Sequence, residues 1–173
     1  ISPDEHGLLH IPHDAFSPGE DRFKPGIFFN WDSAKMIKGM VQDGMVDSAK
    51  MMLDNLLYEI DHYGGPLNAN GTFALTDDPE QPRCQPPLLS AKVMIIYNLW
   101  DQLDNPPDQD KDEWLEYAIE MLEKHHNYWM SSAHLDPKTG LSRFATTHSR
   151  PAAEVLHCEP DHFKHAYHDL MVM

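Results

Sequence analysis

The chain has 173 residues, with 13 Lys and Arg against 28 Asp and Glu, so its formal net charge is −15. This acidic balance argues against general nucleic-acid binding, which requires a basic face, and against docking on anionic membranes. Hydrophobic residues make up 41% of the sequence, enough for a packed core. No apolar run approaches the roughly 18 residues of a membrane span. Two cysteines, Cys84 and Cys158, do not make a disulfide framework.

Two amphipathic helices are predicted in the first half of the chain. The first begins at Trp31-Asp32-Ser33, where Asp32 or Ser33 provides the N-cap, and it ends at Gly44. The second begins near Asp47. Its apolar residues recur at offsets 0, 3, 4, 7, 8 and 11 from Ala49, as one face of a helix requires.

Two further helices are predicted over residues 88–103 and 110–130. The earlier one is apolar almost all round, so we expect it to be buried on most sides. The later one has acidic residues at its start, which suit the positive end of a helix dipole. The acidic run there lacks the sixth-position glycine of a calcium loop. Near the other end, His125 and His126 are expected to interact favourably with the dipole. Because no segment alternates convincingly, the predicted fold class is all-α.

Three long loops separate the helices, over residues 22–32, 64–87 and 140–155. If the helices run up and down, these loops converge on one face, and loops of this length are usually functional. Aromatic rings stack on apolar sugar faces, whereas Arg, carboxylate and amide groups bond to hydroxyls. The alternative is that these side chains only satisfy loop backbone. The residues concerned are Arg22, Phe23, Phe28, Phe29, Trp31, Asp32, Asn68, Asn70, Arg83, Gln85, Arg143, Arg150 and Glu154.

The motifs in these loops follow a recognisable order. They are Arg22-Phe23 with Phe28-Phe29-Asn30-Trp31-Asp32-Ser33, then Asn55 to Gly64, Leu67-Asn68-Ala69-Asn70, Arg83-Cys84-Gln85-Pro86-Pro87, and Ser149-Arg150-Pro151 with Glu154. This order resembles the trehalase family, glycoside hydrolase family 37, and especially its fungal neutral trehalases. The resemblance extends over about residues 20–155.

The resemblance implies an (α/α)6 toroid of helical hairpins with the active site at one end, of which this chain is about half. Members of the family hydrolyse trehalose to two glucoses with inversion. One carboxylic acid protonates the glycosidic oxygen, and an opposite carboxylate activates water. By match, the sugar subsite would be lined by Arg22, Phe23, Trp31, Asp32, Asn68, Arg83, Gln85 and Arg150, with Glu154 as the carboxylate of the last motif.

Neither catalytic carboxylate is identified in this chain. The sequence ends 19 residues after Glu154 without the later W-D motif that carries the general acid in the family. Hydrolysis therefore depends on carboxylates in the rest of the protein. No cofactor is expected. His162, His165 and His168 lack the convergence that a zinc site requires, so no metal is expected either.

Several positions depart from the family pattern. Two extra residues separate Arg22 from Trp31, Phe28-Phe29 replaces a tyrosine pair, and Gly71 replaces an arginine. These changes affect the site rather than the helices. Three interpretations therefore stay open: a trehalase-type glycosidase, a trehalase-like protein repurposed for sugar binding or another reaction, and a helical interaction protein without a pocket.

The ends of the chain read as cuts, so residues 1–173 are expected to form one region, the N-terminal part of the toroid of a longer protein. An incomplete ring exposes an apolar edge. We therefore expect it to pack against the remainder of the toroid, on the same or another polypeptide. The other expected partner is a disaccharide or another small substrate. The resemblance to neutral trehalases indicates the cytoplasm.

Overall fold

A computed structural model of the protein describes residues 4, 7–17, 26–65, 67–71, 85–131 and 134–142. Within these ranges the regular structure is helical. The elements are α1 (Asn30–Gln42), α2 (Val46–Tyr63), α3 (Leu89–Asn98), a 3-10 turn (Trp100–Gln102) and α4 (Lys111–Trp129). The β pairing in the same ranges consists of isolated bridges. The predicted all-α fold is confirmed. None of the described helices is long and apolar enough to cross a membrane.

The start of α1 differs from the prediction. Its N-cap is Phe29, in an extended conformation, and no side chain caps the helix. Asp32 and Ser33 lie inside the first turn, where the Ser33 hydroxyl donates to the Phe29 carbonyl at 2.5 Å. The proposed Asp32 or Ser33 cap is wrong because an antiparallel bridge between Phe29 and Ala69 holds Phe29 extended, so the helix begins directly after it.

Two other helix ends follow local rules. Helix α2 ends at Gly64, whose φ of 80° lies in the left-handed region that glycine adopts most readily. Helix α4 is capped by Asp110, whose carboxylate accepts a hydrogen bond from the Asp112 amide at 2.8 Å. The acidic run before α4 is therefore a helix start, as predicted.

Helix α2 forms the centre of the core. A three-residue connection joins it to α1 as a hairpin, and it also contacts α3 and α4. The predicted apolar stripe is confirmed, since each of its members is at most 1% exposed: Ala49, Met52, Leu53, Leu56, Leu57 and Ile60. Trp114, Ala118 and Met121 of α4 complete this core.

Helix α3 is buried on one face only. Leu89, Val93 and Ile96 are buried, whereas Met94 is 51% exposed. The expectation that this helix is buried on most sides is wrong. Its apolar residues surround the helix axis, so the periodicity did not show which face packs. In the described structure, α3 packs against α1, α2 and α4.

A largely buried charged pair on α2 lies against α4. Lys50 Nζ lies 2.6 Å from Asp54 Oδ2 and 5.2 Å from the ring centres of Trp100 and Trp114. Asp54 Oδ1 accepts a hydrogen bond from the Trp114 indole at 2.8 Å. The Asp54 carboxylate therefore bonds to one side chain on each of the two helices.

Candidate functional site

Three chain segments meet at the start of α1. Isolated bridges join Leu8 to Gly71 and Phe29 to Ala69. The Asn30 amide donates to the Asn68 carbonyl at 3.1 Å, so the segment before α1 is paired with the segment after α2. The first two predicted loops therefore come together.

Asn70 holds this junction with its side chain. It is 2% exposed, its Oδ1 accepts from the Phe28 amide at 2.8 Å, and its Nδ2 donates to the Gly26 carbonyl at 3.3 Å. Its backbone amide also donates to the Phe28 carbonyl at 3.1 Å. Asn70 was recognised as a polar loop residue but not as the residue that ties two loops, because that role depends on a partner 42 positions away.

Gln85 connects the end of the second loop to α1. Its Oε1 accepts a hydrogen bond from the Trp31 amide at 2.6 Å. First-turn amides of a helix have no acceptor within the helix, so Gln85 supplies the acceptor that a side-chain cap would otherwise provide. This contact brings together two of the predicted sugar-binding residues and explains why α1 needs no local cap.

The Trp31 ring is partly accessible. The residue is 38% exposed, and Lys35 Nζ lies 3.5 Å from its ring centre. Asp32 follows in the first turn of α1 and is half-buried. Sequence reasoning missed Lys35, although a spacing of four residues places two side chains on the same helix face.

The structure thus brings together four of the nine predicted site residues, Trp31, Asp32, Asn68 and Gln85. The other five lie outside the described residues: Arg22, Phe23, Arg83, Arg150 and Glu154.

The connections between the helices lie at two opposite ends of the helices, and the three predicted loops share one of these ends. At the opposite end, Asp47 at the start of α2 accepts from the Asp104 and Asn105 amides at 3.0 and 2.9 Å, so the link after α3 lies there. The start of α3 therefore faces the same end as the Gln85 contact. The third loop begins there too, because the Ser142 hydroxyl donates to the Trp129 carbonyl at the end of α4, at 2.9 Å.

Glu59 and Asn30 have buried side chains near this end without hydrogen-bond partners. Both carboxyl oxygens of Glu59 and both amide atoms of Asn30 are buried and unbonded. Burial raises the pKa of Glu59 well above its ordinary value, because desolvation favours the neutral carboxyl group over the carboxylate. Because Glu59 is 0% exposed, a substrate does not reach it, and we do not assign it a catalytic role.

His125 differs from its predicted role near the end of α4. It is 4% exposed, and burial lowers its pKa to about 4, with a smaller contribution from His126. The imidazole is therefore uncharged at neutral pH and does not supply the positive charge that a helix C-terminus favours. Among the described residues, no three His, Cys, Asp or Glu side chains are grouped as a metal site requires.

Comparisons with known proteins agree on one family. The trehalase family profile matches residues 2–171. The cytosolic neutral trehalase of Saccharomyces cerevisiae is 33% identical over 144 residues, which cover 80% of this chain and 18% of that protein. A probable trehalase of the same yeast is 34% identical over 163 residues, covering 94% of this chain and 19% of the relative. The trehalase of Arabidopsis thaliana is 35% identical over 134 residues, covering 77% of this chain and 18% of the relative.

A solved structure has the same architecture. The neutral trehalase Nth1 from Saccharomyces cerevisiae superposes with a TM-score of 0.68 at 28% identity, over 92% of this chain and 29% of that chain. The chain thus corresponds to part of a trehalase toroid, and it spans only 18% to 19% of the two yeast relatives.

Proposed function

Because the chain belongs to the trehalase family, we propose that it contributes the sugar-binding subsite of a glycoside hydrolase that converts trehalose to glucose. The observation that carries this proposal is the hydrogen bond from the Trp31 amide to Gln85 Oε1 at 2.6 Å. It joins two residues that are 54 positions apart in sequence and that the resemblance assigns to one sugar site.

The described groups suit a neutral, hydroxyl-rich ligand. Trp31 offers a partly exposed ring for stacking, while Asp32 and the Asn68 and Gln85 amides carry hydrogen-bonding groups in the same region. Lys35 Nζ lies over one face of the Trp31 ring, so a sugar would stack on the opposite face.

One departure from the family pattern, the replacement of the tyrosine pair by Phe28-Phe29, does not count against this proposal. Phe28 is 0% and Phe29 is 5% exposed. Hydroxyl groups at these positions would point into packed structure, so their loss removes no evident sugar contact. The replacement of the tyrosine pair is therefore compatible with a working subsite.

The chemistry of the whole enzyme would be inverting hydrolysis. A carboxylic acid and a carboxylate on opposite sides of the glycosidic bond, with a water between, would come from the rest of the toroid. We place the protein in the cytoplasm, because fungal relatives are named cytosolic neutral trehalases.

Substitution at the shared site tests the proposal. We expect Trp31→Ala to weaken trehalose binding about tenfold or more, equivalent to about 1.4 kcal/mol, because the stacking surface is lost. Gln85→Ala should also weaken binding, since it removes the acceptor of the Trp31 amide, whereas Gln85→Glu retains an oxygen there. Lys38→Ala, at an exposed position of α1, serves as the control. Titration calorimetry with trehalose measures the affinity, and glucose release by the complete protein measures hydrolysis.

The outcomes separate the interpretations. Unchanged binding in Trp31→Ala and Gln85→Ala would contradict the subsite. Binding that responds to both variants, without glucose release by the complete protein, would favour a sugar-binding trehalase relative that has lost hydrolysis.

A further inference from the structure

A segment before α1, residues 7–17, lies along α2, and we call it the strap. The Tyr63 hydroxyl at the end of α2 donates to the His10 carbonyl at 2.7 Å. About two turns earlier on α2, Asn55 bonds to both backbone groups of His13, with Oδ1 accepting from the amide and Nδ2 donating to the carbonyl, each at 3.0 Å. The strap is therefore bonded to α2 at two separate points along the helix.

The strap crosses the helix face that carries a buried carboxyl group. Asn55, Glu59 and Tyr63 follow each other at intervals of four residues, so they lie on the same face of α2. Glu59 lies between the two points of attachment. It is 0% exposed, and its carboxyl oxygens have no hydrogen-bond partner among the described residues. Enclosing a polar group in this way costs free energy, and lifting the strap would return the group to water. Glu59 therefore opposes the closed position of the strap.

The strap is also joined to the candidate sugar site. The Leu9 amide donates to the Asn70 carbonyl at 2.6 Å, in the segment of residues 67–71. The same segment pairs with the start of α1, where the Asn68 carbonyl accepts from the Asn30 amide at 3.1 Å. One short segment is thus bonded to the strap on one side and to the first amide of α1 on the other. The position of the strap consequently affects the first turn of α1, which belongs to the candidate sugar site.

We propose that the strap closes on α2 and lifts from it, that the sugar site is assembled in the closed form, and that Asn55 and Tyr63 are positioning residues that act through the strap. Neither residue touches the sugar in this scheme. Each holds the strap, and the strap supports the segment that pairs with α1. A bound sugar would favour the closed form, because a ligand stabilises the conformation that it binds more tightly. Only this last consequence rests on the proposed function.

Amide hydrogen exchange on the full chain, resolved by residue, measures strap opening without a ligand. The Leu9 and His13 amides should exchange through a local opening, faster than the amides at the centre of α2. We expect Tyr63→Phe to speed exchange at both amides about fivefold, because one hydrogen bond to the strap is lost, and exchange of the Asn30 amide should also accelerate. Tyr97→Phe is the matched control, since it removes a tyrosine hydrogen bond between α3 and α4 instead.

A second variant tests the group that opposes closure. Glu59→Met removes the carboxyl group and keeps an unbranched side chain, so the strap should lift less often. We expect the Leu9 and His13 amides to exchange about fivefold more slowly or slower still, measured relative to the centre of α2. Trehalose should slow the same exchange in the wild type, and Tyr63→Phe should bind trehalose about threefold more weakly by calorimetry.

Wild-type exchange of Leu9 and His13 at the rate of the α2 centre would overturn the proposal, because the strap would then open only with the whole fold. Faster exchange at these amides in Tyr63→Phe, with no change at Asn30, would overturn the positioning role. Equal strap exchange in Glu59→Met and the wild type would contradict the opposition by Glu59. Absence of trehalose binding by the wild-type chain would reject the proposed function, whereas exchange at Leu9, His13 and Asn30 would still decide the strap.

Discussion

The Glu59 carboxyl group is enclosed in the core without a hydrogen bond, and burial raises its pKa well above the ordinary 4.5. The folded protein therefore keeps a proton there that the unfolded chain releases above pH 4.5. The stability associated with this proton is complete below pH 4.5 and is lost as the pH rises through the folded-state pKa.

We expect Glu59→Gln to be more stable than the wild type at pH 7 to 8. The amide fills the same space and releases no proton on unfolding, so the loss with pH disappears. The advantage should grow by up to about 1.4 kcal/mol for each pH unit. Urea unfolding at several pH values measures it, with Glu116→Gln at an exposed position of α4 as the control. A pH-independent difference between Glu59→Gln and the wild type would show that Glu59 is ionised in the fold.

At the scale of elements, α1 begins where it does because other segments satisfy its first amides. Asn68 and Gln85 accept from the amides of Asn30 and Trp31, both from segments that follow α2. The start of α1 and the two loops consequently form one unit. The buried Asn70 side chain stabilises this unit through its hydrogen bonds with the backbone of Phe28 and Gly26.

Asn70→Ala should destabilise the protein by about 2 to 3 kcal/mol, because the buried Phe28 amide loses its acceptor and the Gly26 carbonyl loses a donor. Asn70→Asp keeps the acceptor and should cost less. Chemical denaturation gives the free energies of unfolding, with Asn127→Ala on the exposed face of α4 for comparison. If Asn70→Ala unfolds at the same urea concentration as Asn127→Ala, the junction is held by its backbone pairing alone.

For the whole molecule, two buried groups oppose each other in their pH dependence. Burial lowers the pKa of His125 from 6.5 to about 4. The stability associated with its neutral imidazole is therefore complete above pH 6.5 and is lost as the pH falls toward 4. The loss amounts to about 3 kcal/mol. Glu59 loses stability in the other direction, as the pH rises above 4.5. Above pH 4.5 and below 6.5 the two groups therefore change the free energy of unfolding in opposite directions, as far as the raised pKa of Glu59 extends.

Variants that remove one of the two groups should show the pH dependence of stability due to the other. In Glu59→Gln, stability should rise with pH from about 4 to 6.5, since only His125 remains. In His125→Phe, it should fall with pH above 4.5, since only Glu59 remains. Thermal unfolding across this pH range measures both curves. If stability changed with pH in the same direction in both variants, the opposite pKa shifts assigned to Glu59 and His125 would be contradicted.

The described part of the molecule also carries exposed apolar side chains. Met94, Ile119 and Leu141, on α3, on α4 and after α4, are 51%, 46% and 69% exposed. This exposure is consistent with the expectation that the remainder of the toroid covers the chain. The relatives support the same proposal, because the chain spans only 18% to 19% of the two yeast trehalases it matches.

The sequence by itself determined the helices and the family. The stripe of α2 from Ala49 to Ile60 repeats with the helical period, and such a pattern has one low-energy solution, which is a helix with that face buried. The order of motifs around Trp31, Asn68 and Gln85 indicated trehalases, and the comparisons confirm the family. Both features depend only on which residues occur and on their spacing along the chain, so the sequence alone shows them.

The tertiary structure decided what depends on distant partners. The cap of α1 comes from Asn68 and Gln85, which no rule for a single helix end includes. The exposure of Met94 was not predictable, since an apolar helix does not show which side its neighbours cover. The charge state of His125 was predicted wrongly for the same reason. Its position suggested a favourable cation at a helix end, but burial removes water from the imidazole and outweighs the dipole.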